Sequence, residues 1–444
     1  MSADLRLAWL LTRGSDRREW WRVLLTAVGA GLATAFALAA VAVAALRGQY
    51  SIALANGLLN EPGERRGIVF TLVLLLVPVL GFLGQCARIG AVHRDRRLAA
   101  LRLAGAEPGR VRRIAALETG LTCLVGSALV TGLSVLALLH LWHGAPAVVW
   151  AAFALVTTAM PVLGVLVGVV ALRRVVAEPL GLVRRVRPPT SRGPVVAYLV
   201  AALVVLVVAG LFLAPRMFGG FATAPGLVFA VVVLTGMGAV RLSGATARRT
   251  GRLLAERTGN PAVLIAAERL RDDPWAAART HAAVLLVTVV GTGFVGVRQV
   301  LLDSLHHTTP AEDLSFYTTG IDLTGAAVLV ALAITLSALA VGTAESVATR
   351  RRGLAAQVAA GVPASVPARA LLLETALPLA PAVVLAGAGG MAISAWYAAL
   401  ASSASVPMLP LLVPVTVYAA CVLAAATSLP LLHRSAHPGE LRHA

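Results

Sequence analysis

The sequence predicts an all-α polytopic membrane protein of about ten transmembrane helices, arranged as two parallel four-helix repeats joined by a two-helix insert. Three observations predict this fold class: apolar blocks of membrane-spanning length, arginines that alternate with those blocks, and an internal duplication. Of the 444 residues, 58% are hydrophobic, which exceeds the ~45–50% typical of soluble domains. The mean hydropathy is +0.85.

The apolar residues form blocks of about 20 residues or more, the length that crosses a bilayer as a helix. Prolines inside some blocks are compatible with this interpretation, because neighbouring helices can cover the backbone groups that proline frees. The first block is too long for a cleaved signal peptide, and we interpret it as a retained span. The ten predicted spans are residues 23–46, 67–87, 119–141, 146–171, 195–214, 225–241, 281–301, 323–347, 371–397 and 409–431.

Arginine is unevenly distributed between the segments that join these spans. All 38 basic residues are arginine, and the formal net charge is +18. If the N-terminus is placed in the cytoplasm, the inner segments hold 33 arginines and the outer segments hold 5. This asymmetry follows the positive-inside rule and predicts that both termini are cytoplasmic. The bias towards Ala, Val, Leu and Arg with no lysine suggests a bacterial genome, so we expect the bacterial plasma membrane. Because the positive-inside rule accounts for the basic charge, membrane lipid is an expected partner and nucleic acid is not.

The connecting segments divide the chain into blocks of four, two and four spans. Linkers rich in Pro, Gly, Ser and Arg are predicted on the inner side at 172–194 and 242–260. The predicted outer loops 47–66 and 302–322 are too short for a folded external domain. The predicted domains are a first repeat with a lead helix and spans 1–4 (1–171), a linker with spans 5–6 (172–259), a second repeat with a lead helix and spans 7–10 (260–432), and a cytoplasmic tail (433–444).

Residues 96–121 recur as a partly diverged copy at residues 352–377. In a single register the two segments share an Ala-Gly pair and a Leu-Glu-Thr triplet, which a common Ala-Leu bias does not easily produce. Both copies lie between the second and third spans of a four-span block, on the predicted cytoplasmic side. The identical pairs include Arg96/Arg352, Leu98/Leu354, Gly105/Gly361, Arg113/Arg369 and Glu118/Glu374.

Each copy has the pattern of two short helices separated by a turn, which we name an elbow: the first elbow is residues 96–118 and the second is residues 352–374. Apolar residues among arginines suit a helix at the membrane surface. Gly105 is placed to end that helix, and Pro108 suits the first turn of the next one. Gly361 and Pro363 repeat the signal. A lever for a cytoplasmic partner and a solvated loop against lipid headgroups both fit this pattern.

The first elbow reads RRLAALRLAGAEPGRVRRIAALE, which resembles the loop between the second and third spans of FtsX-like ABC transporter permeases. That family includes the macrolide-exporter and bacitracin-resistance types, and the four-two-four layout is similar to its ten-span members. The second copy departs from the pattern, with Gly353 in place of Arg97 and Val362 in place of Ala106. The short outer loops differ from the large external domain of those relatives.

The resemblance implies a permease subunit that couples ATP hydrolysis in a separate, dimeric ABC ATPase to export or to mechanical transmission. The elbows would dock on that ATPase. The coupling residues that the resemblance implies are Arg96, Arg97, Leu98, Leu101, Gly105, Arg112, Arg113 and Glu118 in the first copy, with Arg351, Arg352, Leu354, Gly361, Arg369 and Glu374 in the second.

The chain itself lacks the residues for ATP hydrolysis. A P-loop requires a lysine against the β- and γ-phosphates, and this sequence contains no lysine. ATP and Mg²⁺ are therefore expected in the partner, and this chain is expected to bind no cofactor and to be no enzyme. His306 and His307 lie near carboxylates but lack helical ligand spacing, so a solvated loop is favoured over a metal site.

Two other function classes remain open. An ATP-independent membrane scaffold or sensor, regulating a cell-envelope partner, would need no ATPase. An ion-coupled secondary transporter is expected to carry ionisable residues at mid-span, and the spans show none clearly there. A second copy of the chain, or a paralogous permease, stays open as a further partner.

Overall fold

The computed structural model describes residues 17–46, 59–60, 62–86, 105–142, 145–172, 224–308, 311–401 and 407–435. Within these ranges the chain is helical and contains no β-strand, which confirms the all-α fold class. The chain divides into two compact units, Met1–Arg187 and Pro188–Ala444. The dividing point lies outside the described residues, so the domain boundaries at 171 and 259 stay predictions.

Unit 1 is a bundle of four long helices. They are α1 (Arg17–Ala45), α2 (Pro62–Cys86), α3 (Pro108–Leu141) and α4 (Ala147–Leu172). Helix α1 packs against the other three, and α3 also packs against α4.

Small residues allow the backbones of unit 1 to approach closely, as is common between membrane helices. The Cβ position of Gly126 in α3 abuts the Ala27 carbonyl of α1, and Gly164 in α4 lies against the Cys123 side chain of α3. A polar contact adds to the α3–α4 interface, since the hydroxyls of Thr131 and Thr157 lie 2.9 Å apart.

Unit 2 contains the remaining described helices. They are α5 (Ala224–Arg257), α6 (Pro261–Asp272), α7 (Pro274–Thr308), α8 (Ala311–Thr349), α9 (Arg351–Ala359), α10 (Ser365–Leu400), a 3-10 turn at Leu409–Leu411, α11 (Leu412–Ala426) and α12 (Leu429–Ser435). Helices α5, α7 and α10 pack against one another. Their shared core includes Val231, Leu285, Leu379 and Ala386.

Eight of the described helices contain a stretch that is long and apolar enough to cross a membrane. They coincide with eight of the ten predicted spans, and the chain is therefore a multi-pass membrane protein. Helix α2 covers the predicted span 67–87 but is not among the eight, and its side chains are described only in part. The predicted span 195–214 and, apart from its first residue, Leu172, the linker 172–194 lie outside the described residues.

The sequence predicts a linker and an outer loop at two places where the structure is largely helical, so these two predictions are wrong. The linker predicted at 242–260 is the continuation of α5, which stays helical to Arg257. The outer loop predicted at 302–322 consists of the end of α7 and the beginning of α8, with only residues 309–310 between them. Apolar composition marks the part of a helix that lies in lipid, whereas helix ends depend on propensity and packing.

Candidate functional site: the two elbows

The second elbow is a short helix that ends in a tight glycine turn. Helix α9 follows α8 after one residue, Arg350. Gly361 has a φ of +90°, a left-handed conformation that only glycine adopts without strain. Its N–H donates to the Val358 carbonyl over 2.9 Å, and the Val362 N–H donates to the Gln357 carbonyl over 3.0 Å. These two bonds form a Schellman motif, so the prediction that Gly361 ends the elbow helix is confirmed.

A new helix starts directly after this turn. Pro363 precedes α10, and its carbonyl accepts a hydrogen bond from the Val366 N–H over 2.9 Å. From Ser365 the helix runs unbroken to Leu400. The second elbow therefore leads without a gap into a membrane-spanning helix.

The described part of the first elbow has a glycine in the same left-handed conformation. Gly105 has a φ of +91°, and Pro108 is the first residue of α3. The N-cap residue Glu107 is extended, as expected for a residue that precedes proline. Helix α3 then continues to Leu141. Four of the predicted coupling residues, Arg96, Arg97, Leu98 and Leu101, lie outside the described residues.

The other predicted coupling residues differ in how accessible they are. Arg113 and Arg369 are exposed at matching positions of α3 and α10, and Arg351 is half-buried at the start of α9. Arg112 and Arg352 lie on helices, but the structure does not describe their side chains. Among the arginines of this group, Arg113 and Arg369 are therefore available for direct contact with a partner protein.

Leu354 anchors the elbow to its own unit. It is 3% exposed and packs in a buried cluster with Val347 of α8, Leu371 of α10 and Leu432 of α12. A side chain in this position is unavailable to a partner. It holds α9 against three other helices, so the elbow is a packed part of unit 2.

Glu374 is held by two arginines from different elements. Both Nη atoms of Arg350 donate to its carboxylate, at 3.0 to 3.2 Å. Arg269 of α6 donates to the carboxylate from a third direction, over 3.4 Å. Burial lowers the pKa of the Arg269 guanidinium; the Glu374 carboxylate opposes this shift, and the charge of Arg350 adds to it. We name these three residues the Glu374 cluster.

Arg269 and Arg350 are absent from the coupling residues that the sequence predicts. The sequence does carry a signal for a cation here, because a carboxylate at the start of a span needs a partner when it is withdrawn from water. It does not show which arginine supplies the charge. Glu118 occupies the matching place on α3 and is 4% exposed.

The described ranges contain no group of three or more His, Cys, Asp or Glu side chains arranged to hold a metal ion. The polar chemistry at the described elbows is arginine–carboxylate pairing and backbone capping. These interactions can position helices and contact a partner.

The fold and the described parts of the elbows define a class: a polytopic helical membrane protein in which each unit has a glycine turn before a spanning helix, preceded in unit 2 by the short helix α9. Residues 67–180, about a quarter of the chain, match the family model described as FtsX-like permease C-terminal. This segment includes the first elbow, and the match confirms the resemblance to FtsX-like permeases over these residues. No curated protein matches the chain.

Proposed function

We propose that the chain is the transmembrane permease subunit of an ABC transporter, and that both elbows dock on a separate ATPase subunit. The family match supports the permease assignment. The observation that carries the docking proposal is the second elbow itself. It is a short helix with exposed residues on one side, anchored by Leu354 on the other, and continuous with a spanning helix.

The energy for transport would come from the partner. The chain has no lysine and therefore no P-loop. ATP and Mg²⁺ would bind to the ATPase, which we expect to act as a dimer and so to present one docking surface to each elbow. Closure of that dimer on ATP would displace the elbows.

An elbow that is packed into its unit can pass on such a displacement. Val347, Leu371 and Leu432 surround Leu354, so α9 cannot shift without moving its neighbours on α8, α10 and α12. Close-packed interiors transmit displacement because they have few voids to absorb it. The function that follows is export or mechanical transmission across the bacterial plasma membrane, driven from the cytoplasmic side.

Charge reversal at the exposed arginines tests the docking proposal. The elbow variant carries Arg113→Glu and Arg369→Glu, one substitution in each elbow. The control variant carries Arg252→Glu and Arg257→Glu, which are exposed near the end of α5 and change the net charge equally on the same predicted side. Each tagged chain is purified gently from its native membrane, and co-purifying P-loop ATPases are quantified by mass spectrometry.

We expect one P-loop ATPase to accompany the unmodified chain and the control variant, and to fall at least tenfold in the elbow variant. Equal recovery with all three chains would contradict docking through these arginines. If no ATPase accompanies the unmodified chain in several detergents with nucleotide added, the proposal is wrong. The ATP-independent scaffold or sensor would then replace it.

A further inference from the structure

The Glu374 cluster connects three elements that meet beside the second elbow. Glu374 lies in the third turn of α10, Arg350 lies between α8 and α9, and Arg269 lies on α6. One carboxylate is shared by two guanidinium groups that are 81 residues apart in the chain. Sharing of this kind fixes the positions of three elements relative to one another.

The geometry of the cluster is specific. Arg350 presents two nitrogens to the two carboxylate oxygens, and such forked pairs constrain orientation as well as distance. The side chains of Arg269 and Glu374 are 19% and 21% exposed, so water screens this contact only in part. Exposed ion pairs without forked geometry contribute little to stability.

Arg350 is also a backbone junction. Its N–H donates to the Val347 carbonyl of α8, and its own carbonyl accepts the Leu354 N–H of α9. Arg350 therefore both binds Glu374 and connects the spanning helix α8 to the elbow helix α9. Any tilt of α9 acts directly on the Arg350 guanidinium.

Helix α10 is weakened immediately beyond Glu374. Pro378 and Pro381 lie inside the helix, and each lacks the N–H that would bond to the residue four positions earlier. Pro378 thereby frees the carbonyl of Glu374 itself. A helix that lacks one backbone hydrogen bond in each of two successive turns bends more easily at those turns.

Helix α6 provides the fixed side of the cluster. It lies so close to α5 that a Cβ atom on Gly251 would sit 2.8 Å from the Ala267 carbonyl oxygen and 2.9 Å from the Arg271 nitrogen. Ala266 and Leu270 are buried beneath it. Arg269 thus extends from a helix that is packed directly onto a spanning helix.

We propose that the Glu374 cluster is the joint through which movement of the second elbow reaches the spanning helices, with Arg269 and Arg350 as its positioning residues. This inference rests on the proposed function and names residues that carry it out. Displacement of α9 pulls Glu374 through Arg350 and bends α10 at Pro378 and Pro381. Arg269 keeps the base of α10 aligned with α6.

The first test measures the joint in the permease alone. Nitroxide labels are placed on Ala356→Cys in α9 and Leu264→Cys in α6, both exposed, and their distance distribution is recorded by electron paramagnetic resonance. The three native cysteines are buried, so the introduced sites dominate labelling. We expect Glu374→Gln to widen the distribution at least twofold, and Arg350→Lys, which keeps the charge but loses the fork, to widen it less.

A matched ion pair on α6 provides the control. Arg271 and Glu268 are 3.3 Å apart but about half exposed, and the double change Glu268→Gln with Arg271→Gln should leave the distribution unchanged. A double-mutant cycle on Arg350→Gln and Glu374→Gln should be non-additive, because both substitutions remove one interaction. An unchanged distribution in Glu374→Gln, Arg269→Gln and Arg350→Gln would overturn the joint.

The second test measures transmission in the complex with the co-purified ATPase. Labels on Leu329→Cys in α8 and Val384→Cys in α10 report movement beyond the prolines, before and after addition of ATP with orthovanadate. We expect a nucleotide-dependent shift in the distance between the two labels in the otherwise unmodified chain, and at most half that shift in Glu374→Gln, measured on complexes that contain equal amounts of ATPase. A full shift in Glu374→Gln with the ATPase bound would overturn the joint alone. Absence of any ATPase from the unmodified chain would overturn the proposed function and this inference together.

Discussion

Arg65 is a buried cation that is bonded to backbone carbonyls at the end of unit 1 opposite its elbow. It is 4% exposed and donates to the carbonyl oxygens of Leu59 and Asn60 over 2.6 Å, and of Leu46 over 3.1 Å. The planar guanidinium suits this task because its five N–H groups point in several directions at once. Arg65 therefore ties the end of α1 to the turn that precedes α2.

Replacement of Arg65 by methionine should destabilise unit 1. The substitution keeps much of the side-chain volume but leaves three carbonyls without these donors, and each buried unsatisfied group costs about 1–3 kcal/mol unless water reaches it. We expect Arg65→Met to lower the free energy of unfolding by about 2 kcal/mol in total, since water can enter at this end. Thermal unfolding followed with a thiol-reactive dye measures the effect, because Cys86, Cys123 and Cys421 are buried in the native state.

Arg66→Met is the matched control. Arg66 is the next residue along α2 and is exposed, so this variant should unfold at the temperature of the unmodified chain. Equal loss of stability in both variants would show that the charge of this segment matters and that the carbonyl bonds of Arg65 do not.

Replacement of glycine by alanine should have opposite effects on stability at Gly361 and at Gly353. No neighbour would obstruct a Cβ at either position, but only Gly361 has a positive φ. Gly361→Ala should destabilise the turn by about 1 kcal/mol because a Cβ strains the left-handed conformation. Gly353→Ala should stabilise α9 by about 0.5–1 kcal/mol, since alanine is the better helix former.

Amide hydrogen exchange of α9 distinguishes these two effects. We expect faster exchange across 354–360 in Gly361→Ala and slower exchange there in Gly353→Ala. Slower exchange in both variants would mean that the turn tolerates a side chain and that glycine is not required for the second elbow.

Single residues were predictable from the sequence where local geometry alone determines them. The sequence identifies Gly105 and Gly361 as turn residues because each ends an amphipathic pattern and has a proline two or three residues later. Arg269 was not identified, because its partner Glu374 is 105 residues away and α6 offers a second arginine, Arg271. Pairing at that distance depends on how helices pack, which no local pattern specifies.

At the scale of the element, several helices are longer than the bilayer requires. Helix α5 has 34 residues, or about 51 Å at 1.5 Å per residue, whereas the hydrocarbon core is about 30 Å thick. Its polar extension past residue 241 was predicted as a linker. The extension is helical because it packs against α6 through small residues, and that contact is invisible to a hydropathy profile.

The α5–α6 contact predicts the effect of a single methyl group. Gly251→Ala would place a Cβ within 2.9 Å of two backbone atoms of α6, which cannot move independently of that helix. We expect α6 to shift outward and the free energy of unfolding to fall by about 1–3 kcal/mol, the usual cost of overpacking.

Gly342→Ala in α8 provides the comparison, because nothing lies within 4 Å of its Cβ position. It should unfold at the same temperature as the unmodified chain or slightly higher. One cysteine is introduced on α5 and one on α6. The rate of disulfide formation between them should fall in Gly251→Ala and not in Gly342→Ala. Unchanged cross-linking in Gly251→Ala would show that α6 accommodates the methyl group without moving.

At the scale of the whole molecule, the fold class was predictable because bilayer thickness fixes the length of an apolar block. Eight of the ten predicted spans coincide with described helices of sufficient apolar length. The division at residues 187 and 188 was less accessible to sequence analysis. Helix α5, assigned to a separate insert, packs with α6, α7 and α10 in unit 2, and hydropathy carries no information on which span contacts which.

The orientation of the whole chain is predicted by its arginines. The segments assigned to the cytoplasm hold 33 of the 38 arginines, and reversing the topology would place those charges on the side from which the positive-inside rule excludes them. The ends of two described helices test this. Asp303, near the end of α7, should face outward, and Arg257, at the end of α5, should face the cytoplasm; both side chains are exposed.

Single cysteines at these two positions, labelled with a membrane-impermeant maleimide, test the orientation. Asp303→Cys should be labelled in intact cells, and Arg257→Cys only after permeabilisation. The unmodified chain serves as the control for background, which the burial of its three cysteines should keep low. The reverse pattern would place the elbows outside the cell, where no ATP-driven subunit could reach them, and would contradict the topology and the proposed coupling at once.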